Sequence, residues 1–234
     1  MLRVENVSKS FGGLTAVAGV SLDLGDNQVA GLVGRNGSGK STLLHIITGF
    51  YKEDSGWVLF QDKPIQDLPH DAISRLGLPR TFQQVRVLPF LSMRENLLAV
   101  APDQQGENIL SVFFRPRLIG RQERENRRRA DEILQLMKLE HLAERPADEL
   151  SYGWERLLEL GRVLMCRPQL VLLDEPSPGL APLMVEEIFD RILEMNRRKV
   201  SFLLVEQNAR KGLSVSHRGY VLEQGMNRLE GTGR

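Results

Sequence analysis

One cysteine, Cys166, stands in a chain of 234 residues. That excludes an internal disulfide and fits a reducing compartment. Long apolar runs are missing too, for none approaches the ~18 residues that a bilayer crossing needs. The opening MLRVENVSKSFGG alternates and is polar, so it does not resemble a signal peptide. An excess of either charge is absent: 31 basic and 30 acidic residues leave a formal charge of +1, which gives no reason to expect a polyanionic partner. There is no internal repeat and no low-complexity linker. What remains, 41% hydrophobic and 26% charged, is an ordinary globular composition. The expectation is a cytoplasmic protein whose membrane role, if it has one, runs through a partner.

Strand and helix patterns alternate at both ends of the chain. LRVENVSKSF, TAVAGVSLDL and GWVLFQD alternate like strands, while QVAGLVG, QLVLLDEP and VSFLLVE are short apolar runs of the buried kind. Helices are expected from Lys40 to Thr48, with Leu43, Leu44 and Ile47 inward, from Leu68 to Leu76, over SMRENLLAV with Ser92 as cap, and from Pro182. Between about Asp103 and Gly161 the chain reads as long, Arg- and Glu-rich helix with a seam of Ala130, Ile133, Leu134 and Met137. A parallel α/β sheet with a helical insertion follows from this order. The cluster RQERENRRR reads first as a solvated helical face, with contact to anionic lipid or nucleic acid as the minority reading.

GLVGRNGSGKSTLL holds Gly34-x-x-x-x-Gly39-Lys40-Ser41, the P-loop pattern, between an apolar strand and a helix. Gly34, Gly37 and Gly39 permit backbone conformations that aim successive N–H groups at phosphate oxygens. The helix start adds its positive end. Asn36, Ser38 and Thr42 complete the loop and the first turn. Lys40 suits the β- and γ-phosphates and the Ser41 hydroxyl suits Mg²⁺, so ATP and Mg²⁺ are the expected ligands. Asp174 and Glu175 lie at the carboxyl end of a buried strand, where open α/β sheets bind ligands. Asp174 suits an outer-shell magnesium carboxylate. Glu175 suits a base for the water attacking the γ-phosphate, worth ~10²–10⁴ in rate; the alternative is that it caps the turn PSPGLAP.

The order of P-loop, helical insertion, and LSYG 23 residues before the Asp-Glu pair resembles the ATP-binding subunit of ABC transporters over essentially the whole chain. The resemblance implies a P-loop core with a mixed, largely parallel sheet, an N-terminal antiparallel β subdomain and a helical subdomain. The core would take 1–86 with 166–234, and the helical part 87–165. It implies a homo- or heterodimer with a second ATP-binding subunit, membrane permease subunits above it and, indirectly, a substrate-binding protein, on the inner face of the membrane. No nucleic acid is expected. Ser151 and Gly153 would open a helix whose N-terminus meets the nucleotide held by the other subunit. Phe11 would stack on adenine, although alone it would read as core. Gln83, with Gln84 as a register alternative, would contact magnesium and water, and Gln207 would hold the γ-phosphate where most of the family has histidine.

The chain departs from that pattern at Tyr152, at Trp154, at Gln207 and at Ala181, where an aspartate is common. PSPGLAP and VEQNA resemble one ATPase subunit of branched-chain amino acid importers, and the Arg-rich insertion with RTFQ resembles the other; urea and short-amide importers belong to the same group. The resemblance also implies a trailing helix beyond LEQGMNRLEGTGR, with which this sequence ends. Two rivals stay open at this level: a small-molecule P-loop kinase, which has no use for LSYG, and a superfamily member acting as a clamp on DNA or the ribosome.

Overall fold

The computed structural model describes residues 1–81, 87–102 and 116–233, the side chains of 116 and 117 excepted. The chain divides into two compact units, Met1–Gln83 with Gln169–Arg234, and Gln84–Pro168. These joins lie three residues from those expected after 86 and after 165.

The first unit holds two sheets. One is antiparallel, in the order β2-β1-β4-β5, with β1 Leu2–Phe11, β2 Leu14–Leu24, β4 Ser55–Phe60 and β5 Lys63–Pro64. Its strands alternate because only one face is buried. Gly12 and Gly13 join β1 to β2 with φ of +51° and +89°, the pair of positive angles that a tight two-residue hairpin requires. The other sheet runs β6-β7-β3-β8-β9. In it β6 (Leu170–Asp174), β7 (Ser201–Glu206), β3 (Val29–Val33) and β8 (Arg218–Glu223) are parallel, and β9 (Met226–Thr232) is antiparallel to β8. Every residue of β3, β6 and β7 is buried, which is why these strands read as unbroken apolar runs.

Helix α1 (Lys40–Ile47) leaves the end of β3 and buries Leu43, Leu44, Ile46 and Ile47. These join Leu2, Leu22 and Leu24 of the antiparallel sheet and Leu32, Leu172, Leu203 and Leu222 of the parallel one in a single apolar cluster. Tyr220 is buried in the same cluster, and its hydroxyl donates to Asp23 O at 2.7 Å and accepts from Asp23 N at 2.9 Å. Helix α2 (His70–Arg75) is shorter than the expected 68–76.

The second unit is helical. Helix α3 (Met93–Leu98) begins at Ser92 in a capping box with Glu95. Helix α4 is Pro116–Leu136, and α5 is Tyr152–Met165. The long helical stretch expected from about Asp103 to Gly161 is thus interrupted, and the helix start expected at Ser151 is present. Helix α4 ends after Leu136, Lys138 turns left-handed at φ +57°, and two 3₁₀ turns, Glu140–Leu142 and Ala147–Glu149, carry the chain to Ser151. Pro146, with no N–H to give, bars a helix there. Residues 103–115 lie outside the described residues. A side chain at Gly161 would come within 3.1 Å of both Ile133 and Leu97, so this glycine lets α3 and α4 pack closely on α5. The first unit's α6 (Pro182–Arg197) starts at the proline as expected, and α7 (Ala209–Ser214) follows, capped by Asn208.

Tyr220→Phe would leave both backbone groups of Asp23 without their phenolic partner. The expected loss is about 1–2 kcal/mol, read as a lower urea midpoint at unchanged slope.

Candidate nucleotide site

Between the end of β3 and the start of α1 the chain wraps too tightly for side chains. A Cβ at Gly34 would lie 2.4 Å from Leu222 O, and one at Gly39, where φ is +100°, would lie 2.5 Å from Ala16 O. Gly39 is also the N-cap of α1, and no side chain caps that end, so its first N–H groups face outward for a ligand's oxygen atoms. The loop borders a cleft of about 830 Å³ lined by Asn36, Gly37, Ser38, Gly39, Lys40, Ser41 and Thr42 together with Phe11 and Glu175. Gly34 does not line it; its carbonyl accepts from Lys40 Nζ at 2.8 Å, as Arg35 O does at 3.0 Å. The Lys40 ammonium is thereby curled onto the loop, 3.8 Å from Glu175 Oε1. Phe11 is not core: it stands 41% exposed at the hairpin tip.

Asp174 ends β6 and is 1% exposed. Its Oδ2 accepts from Arg80 Nη2 at 2.6 Å. Its Oδ1 is buried and meets no hydrogen-bond donor among the described residues. Glu175, the next residue, has φ +49°, a left-handed backbone that costs a non-glycine residue roughly 1–2 kcal/mol. Its N–H donates to Val205 O at 2.9 Å. That turn separates the two carboxylates, one into the interior and one into the cleft. The orphaned Oδ1 and the Ser41 hydroxyl are oxygen donors of the kind magnesium takes, although Asp174 itself does not line the cleft. Among the described residues no cluster of three or more His, Cys, Asp or Glu is set to hold a metal, and magnesium needs few protein ligands because it keeps water and phosphate oxygens.

Gln83 and Gln84 lie outside the described residues. Gln207 is exposed directly after β7 and is not among the residues lining the cleft. Ser151 and Gly153 belong to the second unit. Ser151 is the N-cap of α5 by backbone angles, but its hydroxyl makes no capping bond, and Gly153 is buried within the first turn. Tyr152 folds back along its own helix, its hydroxyl accepting from Arg156 Nη2 at 2.7 Å and Nε at 3.1 Å. Trp154 packs edge-on against His141, with ring centroids 5.9 Å apart. The bulky residue at this turn therefore braces the helix start against the 3₁₀ turn Glu140–Leu142.

Several site features had no counterpart in the sequence reading. Arg80, three residues before Gln83, neutralises Asp174 in the interior. Glu206, wholly buried at the end of β7, accepts from the N–H and hydroxyl of Ser177 at 3.1 and 2.9 Å. It ties down the loop after Glu175. Burial raises the Glu206 carboxyl above its ordinary value near 4.5, the Ser177 bonds oppose that rise, and the nearby Glu175 adds to it. Ala16, Gln224 and Gly225 also line the cleft. The positive φ of Gln224 and Gly225 is the hairpin turn of β8–β9, for which EQG was the available signal.

Fold, glycine loop and carboxylate pair together define a P-loop nucleotide-binding protein. Residues 17–178 match the family model described as ABC transporter. The chain is 38% identical to the probable branched-chain amino acid transport ATP-binding protein LivG of Methanocaldococcus jannaschii, over 100% of this chain and 90% of that protein. It resembles the ADP conformation of an ATP-binding cassette of an ABC transporter at a TM-score of 0.82 and 34% identity, covering 99% of this chain and 91% of that one. A dimeric ATP-binding cassette in a post-hydrolysis state, bound to ADP and Pi, matches at a TM-score of 0.79 and 26% identity, over 100% and 99%. The chain belongs to the ABC transporter family, as an ATP-binding cassette.

Arg80→Met would leave Asp174 charged and unpaired in the interior, and denaturant unfolding should show a loss of about 3–5 kcal/mol. Glu206 makes a second prediction. A carboxyl whose value is raised by folding favours the folded state at low pH and loses that advantage as pH climbs through the raised value. Glu206→Gln should therefore have a flatter stability profile above pH 4.5 than the parent, gaining on it towards neutrality; urea midpoints across pH 5 to 8 measure this.

Proposed function

We propose that this chain hydrolyses ATP to power an importer for branched-chain amino acids, as one of two cassettes at the inner face of the membrane beneath permease subunits. The observation that carries this reading is Glu175: its left-handed backbone turns a carboxylate into the phosphate cleft, 3.8 Å from Lys40 Nζ. Lys40 moves from the carbonyls of Gly34 and Arg35 onto the β- and γ-phosphates, and the glycine-loop N–H groups hold the remaining oxygens. Ser41, Asp174 and Gln83 hold Mg²⁺. That ion would supply positive charge to offset the charge on the phosphates. Glu175 accepts the proton of the attacking water, and Gln207 donates an amide hydrogen bond to the γ-phosphate. An amide cannot become cationic, so its support of developing charge is weaker than histidine's.

Ser151 and Gly153 serve the nucleotide of the second cassette. The uncapped Ser151 hydroxyl supports this, as does the dimeric state of the cassette bound to ADP and Pi. Among the described residues no helix is long and apolar enough to cross a membrane; attachment through the permease is part of this proposal. The name of the relative from M. jannaschii supports the cargo; selectivity itself lies in the binding and membrane proteins, and a substrate-binding protein acts indirectly.

Glu175→Gln should bind ATP, lose roughly 10²–10⁴ in turnover, and accumulate as a nucleotide-bound dimer in light scattering. Full turnover in this variant removes Glu175 as the base. Turnover that rises only in proportion to protein concentration argues against a shared site.

A further inference from the structure

The hairpin tip that carries Phe11 is held from outside the hairpin. Asp54, between α1 and β4, reaches it with both carboxylate oxygens: Oδ1 accepts from Lys9 Nζ at 2.7 Å, and Oδ2 accepts from Ser10 N at 2.7 Å. The Asp54 N–H donates to Ser8 O at 2.8 Å. These three bonds grip Ser8, Lys9 and Ser10, the residues leading directly into Phe11. The grip falls where the β1–β2 ladder shifts register, between Lys9 and Ser10, and so adds a hold from a second segment at the irregular point of the strand. The Lys9 ammonium held by Asp54 stands over the Phe11 ring, 5.6 Å from its centroid, and the Tyr51 ring meets Phe11 edge-on at 5.2 Å. The ring is nonetheless 41% exposed and lines the cleft, so part of it is open to a flat ligand. The bond from Lys9 and that from the Ser10 N–H hold the Asp54 carboxyl below its ordinary value, so it is ionised throughout the neutral range.

We propose that Asp54 is a positioning residue for the nucleotide base: it locks the strand end before Phe11, stations the Lys9 cation on the ring, and so presets the surface on which a purine stacks. This rests on reading Phe11 as the stacking residue. A merely structural role would disturb every ligand of the cleft alike, whereas a positioning role discriminates ligands with a base from those without one.

The test compares binding of ATP and of inorganic triphosphate, each with Mg²⁺, to the full chain and to Phe11→Ala, Asp54→Ala, Asp54→Asn and Lys9→Met. Stacking on an aromatic ring is worth roughly 5- to 150-fold in affinity, so Phe11→Ala should weaken ATP about tenfold or more. Asp54→Ala should weaken it by roughly threefold to tenfold, as part of that stacking is lost. Asp54→Asn, which keeps an oxygen for Ser10 N–H, should fall between Asp54→Ala and the parent. Triphosphate binding should not change in any of them. If Asp54→Ala misfolds, Asp54→Asn and Lys9→Met carry the comparison. Equal weakening of ATP and triphosphate in the Asp54 and Lys9 variants overturns the proposal. So does unchanged ATP binding in them while Phe11→Ala is weak, an outcome that leaves the stacking role of Phe11 standing. Unchanged ATP binding in Phe11→Ala removes that role, and the proposal with it.

Discussion

Parallel pairing across β6, β7 and β3 is the constraint on which the site depends. Asp174 pairs with Val205 and Val33 pairs with Glu206, so three strands run out at the same edge of one sheet. The glycine loop leaves from one end, the two carboxylates from the second, and Glu206 with Gln207 from the third. No long side chain is needed to bring these groups together; backbone hydrogen bonds between buried strands do it. This is the general logic by which open α/β sheets gather ligand groups at their carboxyl edge. The apolar cluster beneath α1 then keeps the loop at a fixed height above that edge.

The interior polar groups show how a charged site is supported from below. Asp174 is buried, yet only one of its oxygens is used by Arg80. An ion pair of this kind adds little net stability relative to an apolar core, because both partners are desolvated. Its role is to hold one charged oxygen in place while leaving the other open. Glu206 is the complementary case: its charge is turned away from solvent and spent on the two donors of Ser177. Between them, Arg80 and Glu206 fix the start and the continuation of the segment containing Glu175.

Much of the fold was legible because its signals are local. Period-two alternation found β1, β2 and β4. Continuous apolar runs found β3, β6 and β7, and Pro182 marked the start of α6. The P-loop was legible for a different reason: its glycines and Lys40 must be adjacent in sequence to act together. What escaped notice depends on long-range contact. Nothing in LPRTFQ says that Arg80 reaches Asp174, 94 positions away. Nothing in VEQNA says that Glu206 turns inward to Ser177. The interruption of the long helical stretch was not legible because charge patterning extends past Leu136 while the helix does not, and a positive φ at Lys138 is invisible in composition. Trp154 needed its partner, His141, before its packing could be read.

The left-handed turn at Glu175 sets the ease of its own backbone against the contents of the cleft. Glycine or asparagine would settle there with less strain than a glutamate. Exchanging the residue for either would make the chain more durable and, in the same step, withdraw a carboxylate from beside Lys40 without disturbing the shape of the fold.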